Sequence, residues 1–211
     1  RPAAGGTIGT DLAAKAPADG YTLLIASTTF TMNPSLYNLP YDSVKDLAPV
    51  SLIADGPLVL CVSAAFSADS VEQLIALAKA KPVYVSYASA GLGGIAHLAG
   101  VLFERTAGVS LMHIPYKGSA PAVTDTMGGT LDAVIVTLPS VAGQIRGGKL
   151  RGIGVFSTRR SSTLADVPTI GEAGGPGIAA DVWYGLFSRA GTPEPVIARL
   201  QQASTEALAQ P

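Results

Sequence analysis

The stretch VYVSYASAGLGGIAHL, residues 83–98, carries the fold prediction for this chain of 211 residues. Its β-branched and aromatic residues, among them Val85 and Tyr87, are typical of a strand. The small residues at 89–94 predict a turn with a permissive backbone. From Ile95 onward, apolar residues recur at helical spacing, which predicts an amphipathic helix that ends near Gly108. The stretch therefore predicts a strand, a glycine-rich turn and a helix in succession.

A glycine-rich turn that opens a helix has a chemical consequence. It leaves backbone N–H groups without acceptors at the positive end of the helix dipole, a place that attracts a carboxylate or a phosphate. The alternative is that the glycines only let the chain reverse direction, as many strand-to-helix turns require. On this stretch alone, both interpretations stay open.

Strand-like and helix-like segments alternate along the rest of the chain, which predicts an α/β fold with largely parallel sheets. Three turns rich in small or polar residues follow predicted strands, at 27–29, 89–94 and 116–121. Ligands of open parallel sheets bind outside the carboxyl ends of the strands, where such turns lie. This convergence favours the anion-binding interpretation over a purely structural one.

Local signals define several element boundaries. Strands are predicted at 50–53 and 58–63, with a break at 55–57, the sequence Asp-Gly-Pro. Ser70 and Gln73 have the spacing of a capping box at the start of a helix. Ser119 is predicted to cap the helix that follows the third turn.

Composition excludes several classes of function. The net charge is −1 and there is no long basic run, so the chain offers little electrostatic basis for nucleic-acid binding. The single cysteine, Cys61, lies in an apolar run and is predicted to be buried; it cannot form an intrachain disulfide or a multi-cysteine metal site. No apolar run approaches the length that spans a bilayer.

An enzymatic alternative rests on Gly91 and Gly93, whose spacing formally matches a dinucleotide-binding fingerprint. That fingerprint requires an acidic residue at the end of the next strand, to bind the ribose hydroxyl. The next predicted strand, at 111–114, contains none. A dinucleotide-binding enzyme is therefore the weaker interpretation, and no cofactor is expected.

Three further residues bear on the chemistry of the site. His97 and His113 have no cysteine and no cluster of acidic residues near them, so no metal site is expected. Both are predicted to be structural and to hydrogen-bond loop carbonyls. Lys117 either adds positive charge to a carboxylate pocket or lies solvated in its loop. Because no nucleophile has a base beside it, the site is expected to bind rather than to react.

Six stretches of sequence, taken together and in order, indicate one protein family. They are RPAAGGTIGTDLAAKAPADGYTLLIAS at 1–27, YDSVKDLAPVSLIA at 41–54, YASAGLGGIAHLAGVLFERTAGV at 87–109, HIPYKGSAPAVTDTMGGTLDAVI at 113–135, GGKLRGIGVFSTRRSSTLADVPTIGEAG at 147–174 and WYGLFSRAGTP at 183–193. In this order they resemble the periplasmic solute-binding proteins of the tripartite tricarboxylate transporter family, the TctC or Bug proteins. The resemblance covers nearly the whole chain.

The resemblance implies an α/β, two-domain, periplasmic-binding-protein-like architecture of type II, the Venus-flytrap kind. Domain one would comprise residues 1–63 and 183–211, and domain two the insert 64–182. The implied function is a periplasmic solute-binding protein, not an enzyme. It would capture a small carboxylate by hinge closure and present it to the membrane subunits of a tripartite tricarboxylate transporter.

The resemblance also implies a set of ligand-binding positions that offer backbone N–H groups and hydroxyls, often through bridging waters. They are Ser27, Thr28, Ser89, Ala90, Gly91, Gly93, His97, Tyr116, Lys117, Gly118, Ser119, Pro121 and Thr137. Two positions depart from the family pattern. Gly94 stands where members commonly have serine, which removes a hydroxyl donor. Thr137 stands where they often have Asp or Asn, which is expected to change the ligand class.

The same resemblance implies a gap in domain one. Family members begin upstream with a strand, a Pro-Gly-Gly loop and a helix, and they continue beyond the last helix of this chain. The first strand and the closing segment of domain one are therefore expected to be lacking, which would expose a sheet edge. One hypothesis is that a homodimer covers this edge. Another is that the chain is a truncated relic without ligand binding.

Overall fold

A computed structural model describes residues 6–210, which form two units. Unit one contains the chain up to Asp55 and again from Trp183 onward, and unit two is Gly56–Val182. The chain passes between the units twice, inside the strands β2 (Leu47–Ser63) and β7 (Asp181–Arg189). From the sequence, the chain is expected to cross from domain one to domain two after residue 63. In the structure, residues 58–63 belong to unit two, because they pair with strands of that unit.

Among residues 6–55 and 183–210, unit one contains three helices and one antiparallel strand pair. Its elements are α1 (Thr7–Ala14), β1 (Leu23–Ser27), α2 (Thr29–Leu36), the first part of β2, most of β7 and α7 (Glu194–Leu208). β1 pairs antiparallel with β7. The core is small, and its buried residues are Ala13, Ala14, Ala26, Phe30, Tyr41 and Leu47.

Much of the apolar surface of unit one stays open to solvent. Leu23 and Ile25 of β1 are 40% and 65% exposed, and α7 contributes no buried residue. The homodimer proposed to cover such an edge stays a prediction. In the part of the chain that the structure describes, no helix is both long enough and apolar enough to cross a bilayer.

Unit two is built on a mixed sheet. β2 pairs antiparallel with β5 (Ala133–Thr137) and with β6 (Leu150–Val155). β3 (Ser86–Ser89) pairs in parallel with β4 (Met112–Pro115) and with β5. The α/β class is confirmed, but the prediction of largely parallel sheets is wrong. β2 enters the sheet antiparallel to its partners, and an alternation of strands and helices along the sequence does not reveal that.

Helices cover both faces of this sheet. Along β2, Leu58 and Leu60 enter one core cluster, while Val59 and Cys61 enter the other. Alternate residues of a strand point to opposite faces, so the two clusters lie on opposite sides. α3 (Val71–Ala80) and α4 (Ile95–Ala107) pack on the first side, and α5 (Ser119–Met127) and α6 (Leu138–Arg146) on the second. Cys61 has 0% exposure, which confirms its predicted burial.

The structure corrects three local predictions. The sequence at 55–57 does not interrupt β2, because the Leu58 N–H still donates to Ala180 O and the backbone stays extended. β3 begins at Ser86, not at residue 83, since Val83 has φ 61°, which a β-branched residue rarely adopts. Gly118, not Ser119, is the N-cap of α5.

Two other boundaries are as predicted. Ser70 caps α3 by accepting a hydrogen bond from the Gln73 N–H, while the Gln73 side chain accepts from the Asp69 N–H. α4 ends at Gly108, whose φ of 65° is left-handed, the usual conformation of a glycine that terminates a helix.

Candidate functional site

The candidate site lies at the carboxyl ends of three neighbouring strands of unit two. β5, β3 and β4 run parallel, so the segments that follow them meet at one edge of the sheet. These segments lead into α6, α4 and α5. The first turn of a helix has N–H groups without intrahelical acceptors and carries partial positive charge. The fold therefore brings three helix N-termini to a single edge.

Backbone hydrogen bonds join two of these segments into one frame. The Tyr116 N–H donates to Ser89 O over 3.0 Å, and the Gly118 N–H donates to Ala90 O over 3.2 Å. Gly118 has φ 116°, a conformation that explains the glycine. We call residues 89–94 and 116–119 the cradle.

Ser89 is the central buried hydroxyl of the cradle, with 0% exposure. Its Oγ donates to Gly91 O over 3.1 Å and accepts from the Gly91 N–H over 3.3 Å. The same Oγ lies 2.7 Å from Nε2 of His113 on β4. Ser89 thus ties both sides of Gly91 to the neighbouring strand.

The two histidines form a stacked pair under the glycine-rich turn. Their ring centroids are 4.2 Å apart at an interplanar angle of 26°. His97 Nδ1 accepts a hydrogen bond from the Gly93 N–H over 3.2 Å. The prediction that both histidines bond to loop carbonyls is wrong, because the partners are an N–H group and a hydroxyl. Gly93 has φ 75°, which favours glycine at this position.

Burial keeps the two imidazoles neutral at neutral pH. Burial, together with the neighbouring His97, lowers the pKa of His113 to about 4. Burial also lowers the pKa of His97, with partial opposition from the Glu104 carboxylate. Both rings therefore serve as hydrogen-bonding groups. Among the described residues, no three His, Cys, Asp or Glu side chains are grouped so that they could hold a metal ion.

The phenol of Tyr116 is held by a hydrogen bond, whereas the side chain of Lys117 is exposed to solvent. The Tyr116 hydroxyl donates to Asp125 Oδ2 over 2.5 Å, and this bond raises the pKa of Tyr116. Asp125 is thereby tied to the cradle from α5. Lys117 is exposed, and it is the one charged residue in the sequence of the cradle. The cradle therefore combines backbone donors, hydroxyls and the positive charge of Lys117, with the Asp125 carboxylate bonded beside them.

The fold brings most of the predicted ligand positions together in unit two. They are Ser89, Ala90, Gly91, Gly93, His97, Tyr116, Lys117, Gly118 and Ser119 in or beside the cradle, with Pro121 on α5 and Thr137 at the N-cap of α6. The Thr137 hydroxyl lies 2.6 Å from that of Ser140. In this structure the N–H groups of Gly91, Gly93 and Gly118 are occupied by internal acceptors.

The remaining two predicted positions lie in unit one, at the end of β1. The Thr28 hydroxyl accepts from the Trp183 N–H over 2.9 Å, and the Thr28 N–H donates to Trp183 O. Ser27 borders a cavity of about 190 Å³ that is also lined by Thr29 and Asn33. Thr28 therefore fixes the backbone of its own unit.

Sequence reasoning missed the part that His113 takes in the site. Nothing in its local sequence identifies a partner 24 residues away. The available signal was indirect: if β3 and β4 pair in parallel, Tyr87 stands opposite His113 and Ser89 ends the strand beside it.

The fold is mixed α/β, and its cradle lies where the first turns of α4, α5 and α6 meet. The family model described as the tripartite tricarboxylate transporter family receptor, TctC, matches residues 1–211. The chain belongs to this family.

Relatives and solved structures agree with this assignment. The chain is 42% identical to Protein BugT of Bordetella pertussis, with 99% of this chain and 65% of BugT covered. It therefore spans about two thirds of the length of that curated relative. The structure of the periplasmic binding protein BugD has a TM-score of 0.90 at 36% identity, with 100% of this chain and 71% of that one covered. R. palustris Rpa4515 with adipate has a TM-score of 0.90 at 33% identity, with 97% and 69% covered.

Proposed function

We propose that this chain is the ligand-binding part of a periplasmic solute-binding protein that captures a small carboxylate and presents it to a tripartite tricarboxylate transporter. The observation that carries the proposal is the cradle. Three helix N-termini, several hydroxyls and Lys117 lie at one sheet edge, and the sequence of the cradle contains no acidic residue. Such an arrangement suits a carboxylate.

Support for the ligand class and the location comes from the family. Rpa4515 was solved with adipate, a dicarboxylate, and BugD is a periplasmic binding protein. The description of the family supports the transporter partnership. For capture by hinge closure, the support is the chain path: β2 and β7 each run from one unit into the other, which supplies the two covalent connections a hinge uses.

A ligand screen tests the proposal. The melting temperature of the chain is measured with adipate, with other small dicarboxylates and with adipamide, the uncharged diamide of adipate. A binding carboxylate is expected to stabilise the chain by about 2.7 kcal/mol at a hundredfold excess over its Kd, while adipamide has no effect. Stabilisation by a dinucleotide and by no carboxylate would overturn the proposal in favour of an enzyme. An unchanged melting temperature with every compound would favour the hypothesis that the chain has lost ligand binding.

A pair of glycine variants locates the binding. Gly93→Ala and Gly148→Ala both force alanine into the left-handed region, at φ 75° and 66°. Each is expected to cost about 1 kcal/mol of stability. Only Gly93→Ala is expected to weaken carboxylate binding, by about tenfold, because Gly148 lies beyond the end of α6 and outside the cradle. Equal affinities for the two variants would place the binding elsewhere.

A further inference from the structure

We propose that His113 is a positioning residue of the cradle, which holds the glycine-rich turn in its binding conformation through Ser89 and His97. The proposal rests on the proposed function, since it concerns the same site. His113 itself is not among the predicted ligand positions. Its ring touches the cradle from β4, and it acts through two other side chains.

The first connection runs through Ser89. A hydroxyl carries one hydrogen, and the Ser89 Oγ has a carbonyl acceptor, Gly91 O, at 3.1 Å and an imidazole nitrogen at 2.7 Å. Both contacts are satisfied together when His113 Nε2 carries the hydrogen and donates to Ser89 Oγ. The hydroxyl then donates to Gly91 O, and its rotamer is fixed. His113 thereby orients the peptide groups on both sides of Gly91.

The second connection runs through His97. The stacked rings hold His97 at 4.2 Å from His113, and Nδ1 of His97 accepts from the Gly93 N–H. An accepting Nδ1 requires the neutral form with its hydrogen on Nε2. One imidazole pair therefore fixes the backbone at Gly91 and at Gly93. The turn between these glycines and α4 sets the direction of the first N–H groups of that helix.

Neighbouring side chains pack against the His113 ring and hold it in place. Its ring lies 4.9 Å from that of Tyr87, which has 0% exposure and stands opposite it in the parallel register. A hypothetical Cβ on Gly100 of α4 would lie 2.5 Å from the Tyr87 hydroxyl, so α4 packs directly on this ring. The stacked rings of His97 on α4 and His113 on β4 thus form a contact between the helix and the strand.

Two substitutions separate hydrogen bonding from packing. His113→Phe keeps an aromatic ring for the stack but removes the donor at Nε2. His113→Gln supplies an amide N–H near the same place. Met112→Leu is the matched control, because Met112 is the adjacent residue of the same strand and is 44% exposed.

Hydrogen exchange in the ligand-free chain gives the decisive readout. His113→Phe is expected to lower the protection of the Gly91 amide about tenfold, as expected for one lost buried hydrogen bond, and to keep that of the Gly93 amide, which depends on the ring stack. The amides of β5 should keep their protection, and His113→Gln should restore most of the loss at Gly91. Unchanged protection of the Gly91 amide in His113→Phe would overturn the proposal. So would an equal loss in Met112→Leu.

Affinity for adipate supplies the second readout. His113→Phe and Ser89→Ala are each expected to weaken binding about tenfold. The double variant should bind no more weakly than the single variant with the lower affinity. Independent losses that multiply would show that His113 does not act through Ser89, which overturns the proposal. If the wild-type chain binds no carboxylate while the exchange results hold, the proposed function fails and the positioning of the turn by His113 stands.

Discussion

The two units of this chain differ in how they bury their apolar residues. In unit two, Tyr87 and Val134 on adjacent strands have 0% exposure, and helices cover both faces of the sheet. In unit one, Ile25 on β1 is 65% exposed, and α7 buries no residue. The cradle is carried by the densely packed unit. Binding groups need rigid support to hold their geometry, so the packing of unit two is part of the site.

The largest effect is expected when a leucine of unit two is truncated, and a leucine of unit one provides the comparison. Leu74 on α3 has 0% exposure, while Leu200 on α7 is half-buried. Leu74→Ala should lower the free energy of unfolding by about 3–4 kcal/mol, because it leaves a cavity in a close-packed core. Leu200→Ala should cost about 1 kcal/mol or less. Urea unfolding followed by circular dichroism measures both, and equal losses would contradict the contrast between the units.

A smaller effect is expected from two glycines within the helices of unit two. Gly100→Ala would bring a methyl group to 2.6 Å from the Tyr87 ring, which is fully buried. We expect a loss of about 1–3 kcal/mol from overpacking. At Gly143 on α6, an added methyl group would meet no neighbouring atom within 4 Å. Gly143→Ala should therefore stabilise the chain by about 0.5–1 kcal/mol through helix propensity. The shift in melting temperature should have opposite signs in the two variants.

The third effect is expected from acid. The pKa of His113 is about 4 in the folded chain, against 6.5 for a free histidine, because burial and then His97 disfavour its charged form. Between these values the unfolded chain binds more protons, so the free energy of unfolding falls as the pH drops from about 6.5 to about 4. With allowance for the partial exposure of the ring, the loss is about 1–2 kcal/mol.

Unfolding experiments at several pH values test this dependence, with His113→Phe as the control. The variant should lose part of the slope and keep the part due to His97, whose pKa is lowered by burial and partly raised by Glu104. Tyr87 faces the same pair, and its raised pKa keeps it uncharged throughout this range. A variant with the full slope of the wild type would show that His113 does not titrate in this way.

Local chemistry predicted much of the cradle. The strand, the glycine-rich turn and α4 were readable because each depends on neighbours in sequence: small residues for the turn, helical spacing from Ile95, and Gly108 at the end. The family resemblance led to the right family, which the family model confirms. Whether the predicted residues bind a ligand stays a prediction.

Long-range pairing accounts for what the sequence did not reveal. The antiparallel partners of β2 depend on register with β5 and β6, strands that lie far along the chain from it. The contact of His113 with Ser89 depends on the parallel pairing of β4 with β3. Val83 shortens β3 through a backbone angle that its residue type opposes. None of these follows from a short window of sequence.

The two hydrogen bonds that join the segments of the cradle have a consequence for evolution and for engineering. Both run from main chain to main chain, from Tyr116 to Ser89 and from Gly118 to Ala90. Most side-chain replacements leave such bonds in place, provided the glycine angle is respected. Substitutions at exposed cradle positions such as Lys117 should therefore leave this scaffold in place, so the proposed ligand selectivity can change without loss of the fold. A library that varies those positions and spares Gly118 would explore new ligands on an unchanged frame.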